Sequence, residues 1–246
     1  MKIILVTSDL TYAPENYNDV FEYVVKNSSQ SIAGVVIVKI NKISVLAKLP
    51  YLYFAGCNNI ANTLIHNVAD ALLRRKYNFL KKFKIPALFA NNINDKKTII
   101  WLESIKPDLI LNMRARCIYK EAVLQIPWLG CVNVHHGILP YQKGLFCDLY
   151  ALADDKTAGF TIHQMTSSID QGSIFYTQEV DKNKNYIDYL AEVASKEKRA
   201  IARFIKNVAQ NKHLPESNPN QEQKSIFTTT PNFKEIKELQ HKGMIL

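Results

Sequence analysis

The stretch Cys131-Val-Asn-Val-His-His-Gly-Ile-Leu-Pro140 reads as a buried β-strand that runs out into polar side chains and then into glycine and proline punctuation. Strand side chains alternate between faces, so Asn133 and His135 point one way and His136 the other. Further along, Ser168-Ile-Asp-Gln-Gly172 reads as a glycine-tightened turn that carries Asp170. A strand that ends in an amide and an imidazole fits an α/β sheet, where ligands bind beyond the carboxyl ends of the strands.

Working outward, apolar runs alternate with amphipathic segments, the pattern of an α/β chain. Strands are expected at 2–7, 34–40, 87–90, 108–113, 131–135, 159–165 and 173–180. Helices are expected at 16–26, 59–83, 96–105, 120–125 and 145–153, with a long one at 186–211. The composition shifts to Pro, Asn, Gln, Ser and Thr over 213–230, an extended or loosely ordered segment. Thr230-Pro231 then looks like the start of a short terminal helix at 232–240. The fold class is therefore α/β: Rossmann-like, with a mainly parallel twisted sheet flanked by helices. A catalytic domain is expected at 1–212, with a short C-terminal extension at 213–246 that could supply dimer contacts.

The chain has 246 residues, of which 47% are hydrophobic, enough for one large core. No apolar run approaches the ~18 residues of a membrane span. Met1-Lys-Ile-Ile-Leu-Val-Thr-Ser8 is too short for a signal peptide and reads as the first strand, so a cytoplasmic protein is expected. The four cysteines (Cys57, Cys117, Cys131, Cys147) form no CxxC pair, which suits reduced, buried thiols. The net charge of +9 favours an anionic partner. The basic run Arg74, Arg75, Lys76, Lys81, Lys82 and Lys84, with Tyr77 and Phe79 interleaved, could contact phosphates or nucleic acid. A solvated helix end, where the dipole favours cations, is the preferred explanation.

The chemistry follows from residue types. A carboxylate beside an imidazole holds the ring and stabilises its protonated form. An asparagine N–H can donate to an oxygen that gains negative charge. Asn133, His135 and Asp170 thus suit attack by a neutral amine on a carbonyl carbon, with His135 and Asp170 managing the surplus proton. His135 and His136 face opposite ways and no HExxH spacing occurs, so no metal site is expected. Cys147 could pair with a histidine as a nucleophile, but its apolar neighbours Phe146, Leu149 and Tyr150 make it core.

Asn133-Val-His135, Leu139-Pro140…Gly144, Thr161-Ile-His163 and Asp170-Gln-Gly172 together resemble the formyltransferases that use N10-formyltetrahydrofolate. That family includes enzymes acting on glycinamide ribonucleotide, on methionyl-tRNA and on sugar nucleotides. The resemblance implies Asn133, His135 and Asp170 as the catalytic residues. It places the folate against Arg116, Cys117, Ile118 and Tyr119 on one side and Thr166, Ser167 and Ile169 on the other. Ser8 and Asp9, together with Tyr141 and Lys143 in the proline loop, are the implied acceptor contacts.

Two departures choose among the branches. Ser8-Asp-Leu-Thr-Tyr-Ala-Pro14 lacks the glycine-rich phosphate cradle of the purine branch. Only 34 residues follow Lys212, too few for the barrel domain of the tRNA branch. The expected substrate is a nucleotide-linked amino sugar such as dTDP-4-amino-4,6-dideoxyglucose, formylated for O-antigen or other surface polysaccharide. The competing readings are a methionyl-tRNA or glycinamide ribonucleotide formyltransferase and, from another class, an RNA-binding module. The expected partners are folate and the nucleotide sugar, with a second copy of the chain and with neither membrane insertion nor nucleic acid.

Overall fold

The computed structural model describes residues 1–221 and 225–246. In chain order the elements are β1 (Ile3–Ser8), a 3-10 turn (Pro14–Tyr17), α1 (Asn18–Ser28), β2 (Ile32–Val38), α2 (Lys42–Leu46), α3 (Leu49–Phe54), α4 (Asn58–Leu72), α5 (Arg75–Lys82) and β3 (Ala87–Ala90). They continue with α6 (Lys96–Ile105), β4 (Leu109–Met113), α7 (Glu121–Leu124), β5 (Cys131–His135), β6 (Gln142–Gly144), α8 (Cys147–Ala153) and β7 (Ala158–Gln164). The last are β8 (Ile174–Val180), α9 (Tyr186–Asn211), β9 (Ile226–Thr228) and α10 (Phe233–His241).

Seven strands form one sheet in the order β3-β2-β1-β4-β5-β7-β8. The strands from β3 to β5 pair in parallel, while β7 and β8 are antiparallel. Helices cover both faces of the parallel part, so β1 and β4 are buried along their whole length and read as continuous apolar runs. The pleat divides their side chains between two core layers. Ile3, Leu5, Leu109 and Leu111 enter the layer with α1 and α9, and Ile4, Val6 and Ile110 enter the layer with α6. Each such fully buried side chain contributes about 1.5–3 kcal/mol. The same alternation puts Asn133 on the side of Cys131, opposite Val132 and Val134.

The helix expected over 59–83 is two helices. Arg74 adopts a left-handed conformation (φ 51, ψ 40), and the Asn78 side chain donates to the Leu73 carbonyl (3.0 Å) across the break. Both pieces keep a four-residue apolar rhythm, so periodicity alone could not reveal the change of direction. The pair α2 and α3 also escaped the pattern, because α3 buries no residue at all. The terminal helix starts later than Thr230-Pro231 suggests. Asn232 accepts from the Glu235 N–H (3.1 Å) and the Glu235 carboxylate accepts from the Asn232 N–H (2.7 Å), a capping box that sets the start.

The segment expected as an appended extension is built into the core. Ile236, Leu239, Met244 and Leu246 join the main hydrophobic layer, and β9 pairs in parallel with β6. A backbone bridge joins Asn218 to Ile174 at the start of β8. Of the stretch expected to be loosely ordered, residues 222–224 lie outside the described residues.

Candidate active site

Beyond the carboxyl ends of β4 and β5 lies a cavity of about 450 Å³. Asn133, His135 and Asp170 all line it, as do Arg116, Cys117, Ile118, Tyr119, Thr166, Ser167 and Ile169. The three residues expected for chemistry and the seven expected for the donor therefore meet in one place. Ile118, Ile169 and Phe227 are exposed by 67%, 47% and 58%, giving the mouth an apolar rim. The volume falls in the range of small-molecule sites, and the mixture of apolar walls with few polar groups suits a flat heterocycle such as a pteridine.

The His135 ring is fixed through Nε2. A carbonyl oxygen can only accept, so the Nε2 contact with the Gln142 carbonyl (2.8 Å) puts a proton on Nε2. Nδ1 is left as the basic position, 3.6 Å from Asp170 Oδ2. The same carboxylate oxygen accepts the Gly144 N–H (3.0 Å), and Oδ1 lies 3.6 Å from His163 Nε2. Asp170 itself is left-handed (φ 53), a conformation that aspartate tolerates in turns.

His163, on β7, orients the amide. Its Nδ1 donates to the Gln164 carbonyl (2.8 Å), so its Nε2 accepts from Asn133 Nδ2 (3.2 Å). Asn133 Oδ1 accepts from Asn112 Nδ2 (2.8 Å). The chain Asn112→Asn133→His163 fixes which way the amide faces and leaves one Nδ2 hydrogen for an oxygen in the cavity. Burial pulls the His163 imidazole down to about 4, helped by His135 and opposed by Asp170, so it stays neutral and able to accept. Thr161, two residues earlier on the same strand, donates to the Gly137 carbonyl (2.7 Å) and accepts the Leu139 N–H (3.2 Å). The Thr161/His163 pair therefore tethers the loop after β5 and aims its amide.

A second polar group, which sequence reasoning missed, lines the same cavity from the other face of the strand end. His136 contacts Arg114, lies 3.5 Å from Asp148 Oδ2 through Nδ1 and 3.3 Å from Glu197 through Nε2. Tyr186 donates to Asp148 (3.0 Å). Burial and Arg114 push the His136 imidazole down, but Glu197 and Asp148 outweigh them and leave it raised. Burial would raise the Asp148 carboxyl, yet His136 and Arg114 hold it below its ordinary value. Glu197 was legible: it stands four residues after Val193 and four before Ile201, interrupting the buried stripe of α9. Asp148 gave no such sign within an otherwise apolar helix.

The implied acceptor contacts do not join the cavity. Ser8 is buried, and Asp9 accepts from the Ile40 N–H (2.8 Å) and pairs with Lys42. The turn after β1 is thus closed by its own side chain. Tyr141 is half exposed outside the cavity, and Lys143 is buried on the face of β6 opposite Gln142 and Gly144. From the first loop only Tyr12 reaches the cavity, where Arg116 sits between Tyr12 and Phe146 with its guanidinium 4.8 and 5.0 Å from the two ring centres. That cation–π setting holds Arg116 at the mouth with no carboxylate within ion-pair distance among the described residues.

Cys147 Sγ lies 3.5 Å from His135 Nε2, but burial and nearby carboxylates push its thiol well above the ordinary value. It remains a packing residue. Of the basic run, Lys76 is built into the fold while Arg74, Arg75, Lys81, Lys82 and Lys84 stay exposed. Lys76 is buried, donates to the Asn16 carbonyl (2.6 Å) and is pulled down to about 7 by burial, while Arg75 pairs with Glu22. Lys81 and Lys82 lie over Tyr77 and Phe79. Among the described residues, no helix is long and apolar enough to cross a membrane.

A family model described as formyl transferase matches residues 61–205. The bifunctional polymyxin resistance protein ArnA of Wigglesworthia glossinidia brevipalpis is 43% identical over 94 residues, which cover 38% of this chain and 14% of that protein. The methionyl-tRNA formyltransferase of Thermotoga maritima is 32% identical over 101 residues, covering 41% of this chain and 32% of the relative. The chain thus matches a third or less of the length of these relatives. Among solved structures, a phosphoribosylglycinamide formyltransferase from Anaplasma phagocytophilum superposes with a TM-score of 0.63 at 16% identity, covering 94% of this chain and 99% of that one. A sugar N-formyltransferase from Shewanella sp. gives 0.62 at 15% identity, covering 98% and 87%. At such identities these structures speak to the fold.

Proposed function

The chain belongs to the formyl transferase family, and from that premise we propose that it moves a formyl group from N10-formyltetrahydrofolate to the primary amine of a nucleotide-linked amino-deoxy sugar. The observation that carries the reading is the convergence of Asn133, His135 and Asp170 on one cavity whose rim is formed by 116–119 and 166–169.

The donor, when bound, supplies an activated formyl carbon. Asn133 offers its spare Nδ2 hydrogen to the formyl oxygen as that oxygen gains charge, and His163 keeps the amide from rotating away. His135 Nδ1 takes the proton that the attacking amine sheds and would return it to folate N10 as the bond from the formyl carbon to N10 breaks, so that tetrahydrofolate leaves and His135 is regenerated. The resulting imidazolium is stabilised by Asp170 on one side and by the Gln142 carbonyl on the other. Gly144 keeps the Asp170 carboxylate turned toward the ring.

The choice of acceptor rests on the loop after β1. Asp9 occupies that turn with Ile40 and Lys42, so it offers no nest of backbone N–H groups to a terminal ribose phosphate. Arg116, implied by the resemblance as a donor contact, is reassigned to the acceptor: at the cavity mouth it offers a cation flanked by aromatic rings to a nucleotide diphosphate and its base. A sugar used in surface polysaccharide, such as dTDP-4-amino-4,6-dideoxyglucose, fits that description. The second reading, charged initiator tRNA, is favoured by the 32% identity to methionyl-tRNA formyltransferase and by the charge of +9. Purified protein given N10-formyltetrahydrofolate and each acceptor in turn decides between them. Folate release with the dTDP-amino sugar alone supports the proposal, and release with methionyl-tRNA alone overturns it.

A further inference from the structure

Asp170 stands at the end of an exposed turn. Residues 166–169 before it are all solvent-exposed, and its carboxylate has one short hydrogen bond, from Gly144, besides two histidine contacts at 3.6 Å. What fixes the backbone of this turn comes from far along the chain. Asn220 Nδ2 donates to the Asp170 carbonyl and to the Gly172 carbonyl, both at 3.0 Å. One amide nitrogen thus pins both sides of Gln171.

Asn220 is itself held. Two residues earlier, Asn218 exchanges both backbone hydrogen bonds with Ile174 (2.9 and 2.8 Å). Beyond it the chain returns as β9 to pair with β6. There the Thr228 hydroxyl donates to the Leu145 carbonyl (2.8 Å), and the backbone passes so close that a Cβ on Gly144 would stand 2.2 Å from the Thr228 oxygen. One segment therefore touches Asp170 twice: through its backbone by Asn220, and through its carboxylate by way of Gly144.

We propose that Asn220 is a positioning residue for the reaction, holding the Asp170 turn so that the carboxylate faces His135 Nδ1. It lies outside the cavity lining and acts through Asp170. The role rests on the formyl-transfer reading. Loss of the double hydrogen bond frees the turn, and displacement of about 1 Å at a reacting group costs up to 10²-fold in rate.

The test uses the full chain as wild type, Asn220→Ala, Asp170→Asn and the double variant, with two readouts. The first is backbone amide hydrogen exchange at Gly144 in the protein alone. The second is turnover of N10-formyltetrahydrofolate with dTDP-4-amino-4,6-dideoxyglucose. Asn220→Ala should speed Gly144 exchange about tenfold or more. It should lower kcat on the order of 10- to 100-fold with acceptor KM within about twofold. On the Asp170→Asn background it should cost nothing further, which a merely structural role would not reproduce. Unchanged Gly144 exchange, or an equal loss of kcat in both backgrounds, overturns the proposal. If the wild-type chain leaves the sugar untouched, the acceptor assignment falls while the exchange measurement still decides the role of Asn220.

Discussion

His135 and His136 are neighbours in the chain and belong to opposite electrostatic worlds. His135 sits among groups with valences to spare: one basic nitrogen, a carboxylate at 3.6 Å and an asparagine hydrogen pointing into a cavity. His136 is enclosed by two carboxylates and an arginine, with Glu197 fully buried. One strand end thus feeds two polar clusters, and both line the cavity. The one around His135 is open in that the fold does not use up its donors, and it is the one proposed to exchange a proton. The one around His136 is closed on itself, its charges paired, and it ties β5 to α8 and α9.

The comparison breaks first on activity. Asn133→Ala, His135→Ala and Asp170→Ala should each lower kcat by about 10²–10⁴-fold, with the thermal midpoint little changed. A near-normal rate in any of them would remove that residue from the open cluster. Glu197→Ala should do the reverse. It removes one of the two buried carboxylates that face His136, leaving Asp148 alone to balance His136 and Arg114, and should cost about 3–5 kcal/mol in urea unfolding. A variant as stable as wild type would show that the closed cluster is not a structural tie.

A smaller effect separates the two clusters by pH. His163, on the open side, is held near 4 in the fold against an ordinary value of 6.5. Its depressed value contributes stability that is present above pH 6.5 and is lost as pH falls toward 4, up to about 3 kcal/mol. Unfolding of His163→Gln across that window should show a flatter curve than wild type. His136 is raised, so its contribution is present at low pH and fades as pH climbs through its folded value. The smallest effect should come from Arg116→Met, which should raise acceptor KM by about tenfold with kcat nearly intact. A change in kcat alone would place Arg116 nearer the reacting atoms.

Much of this was legible in the sequence because strands and turns are local. The alternation in Val132-Asn-Val-His135 told which side chains share a face, and Asp170-Gln-Gly172 announced a turn. The polar networks were harder, since they join residues that no short-range pattern links: Asn112 to Asn133 to His163, or His136 to Asp148 to Glu197. The break at Arg74 was hidden because both helices keep the same spacing. The implied acceptor contacts lie apart from the cavity for a different reason. Ser8 and Asp9 are polar at a strand end, where ligands bind, but the Asp9 carboxylate is paired with Lys42 from the next crossover.

Gly144 has a consequence for how the chain can vary. Its N–H holds the Asp170 carboxylate, and its lack of a side chain admits a strand that lies more than eighty residues further along. A Cβ there would stand 2.2 Å from the Thr228 carbonyl oxygen, and its φ of +91 already favours glycine. One substitution therefore strikes the donor to Asp170 and the pairing of β6 with β9 together. Position 144 should tolerate glycine alone.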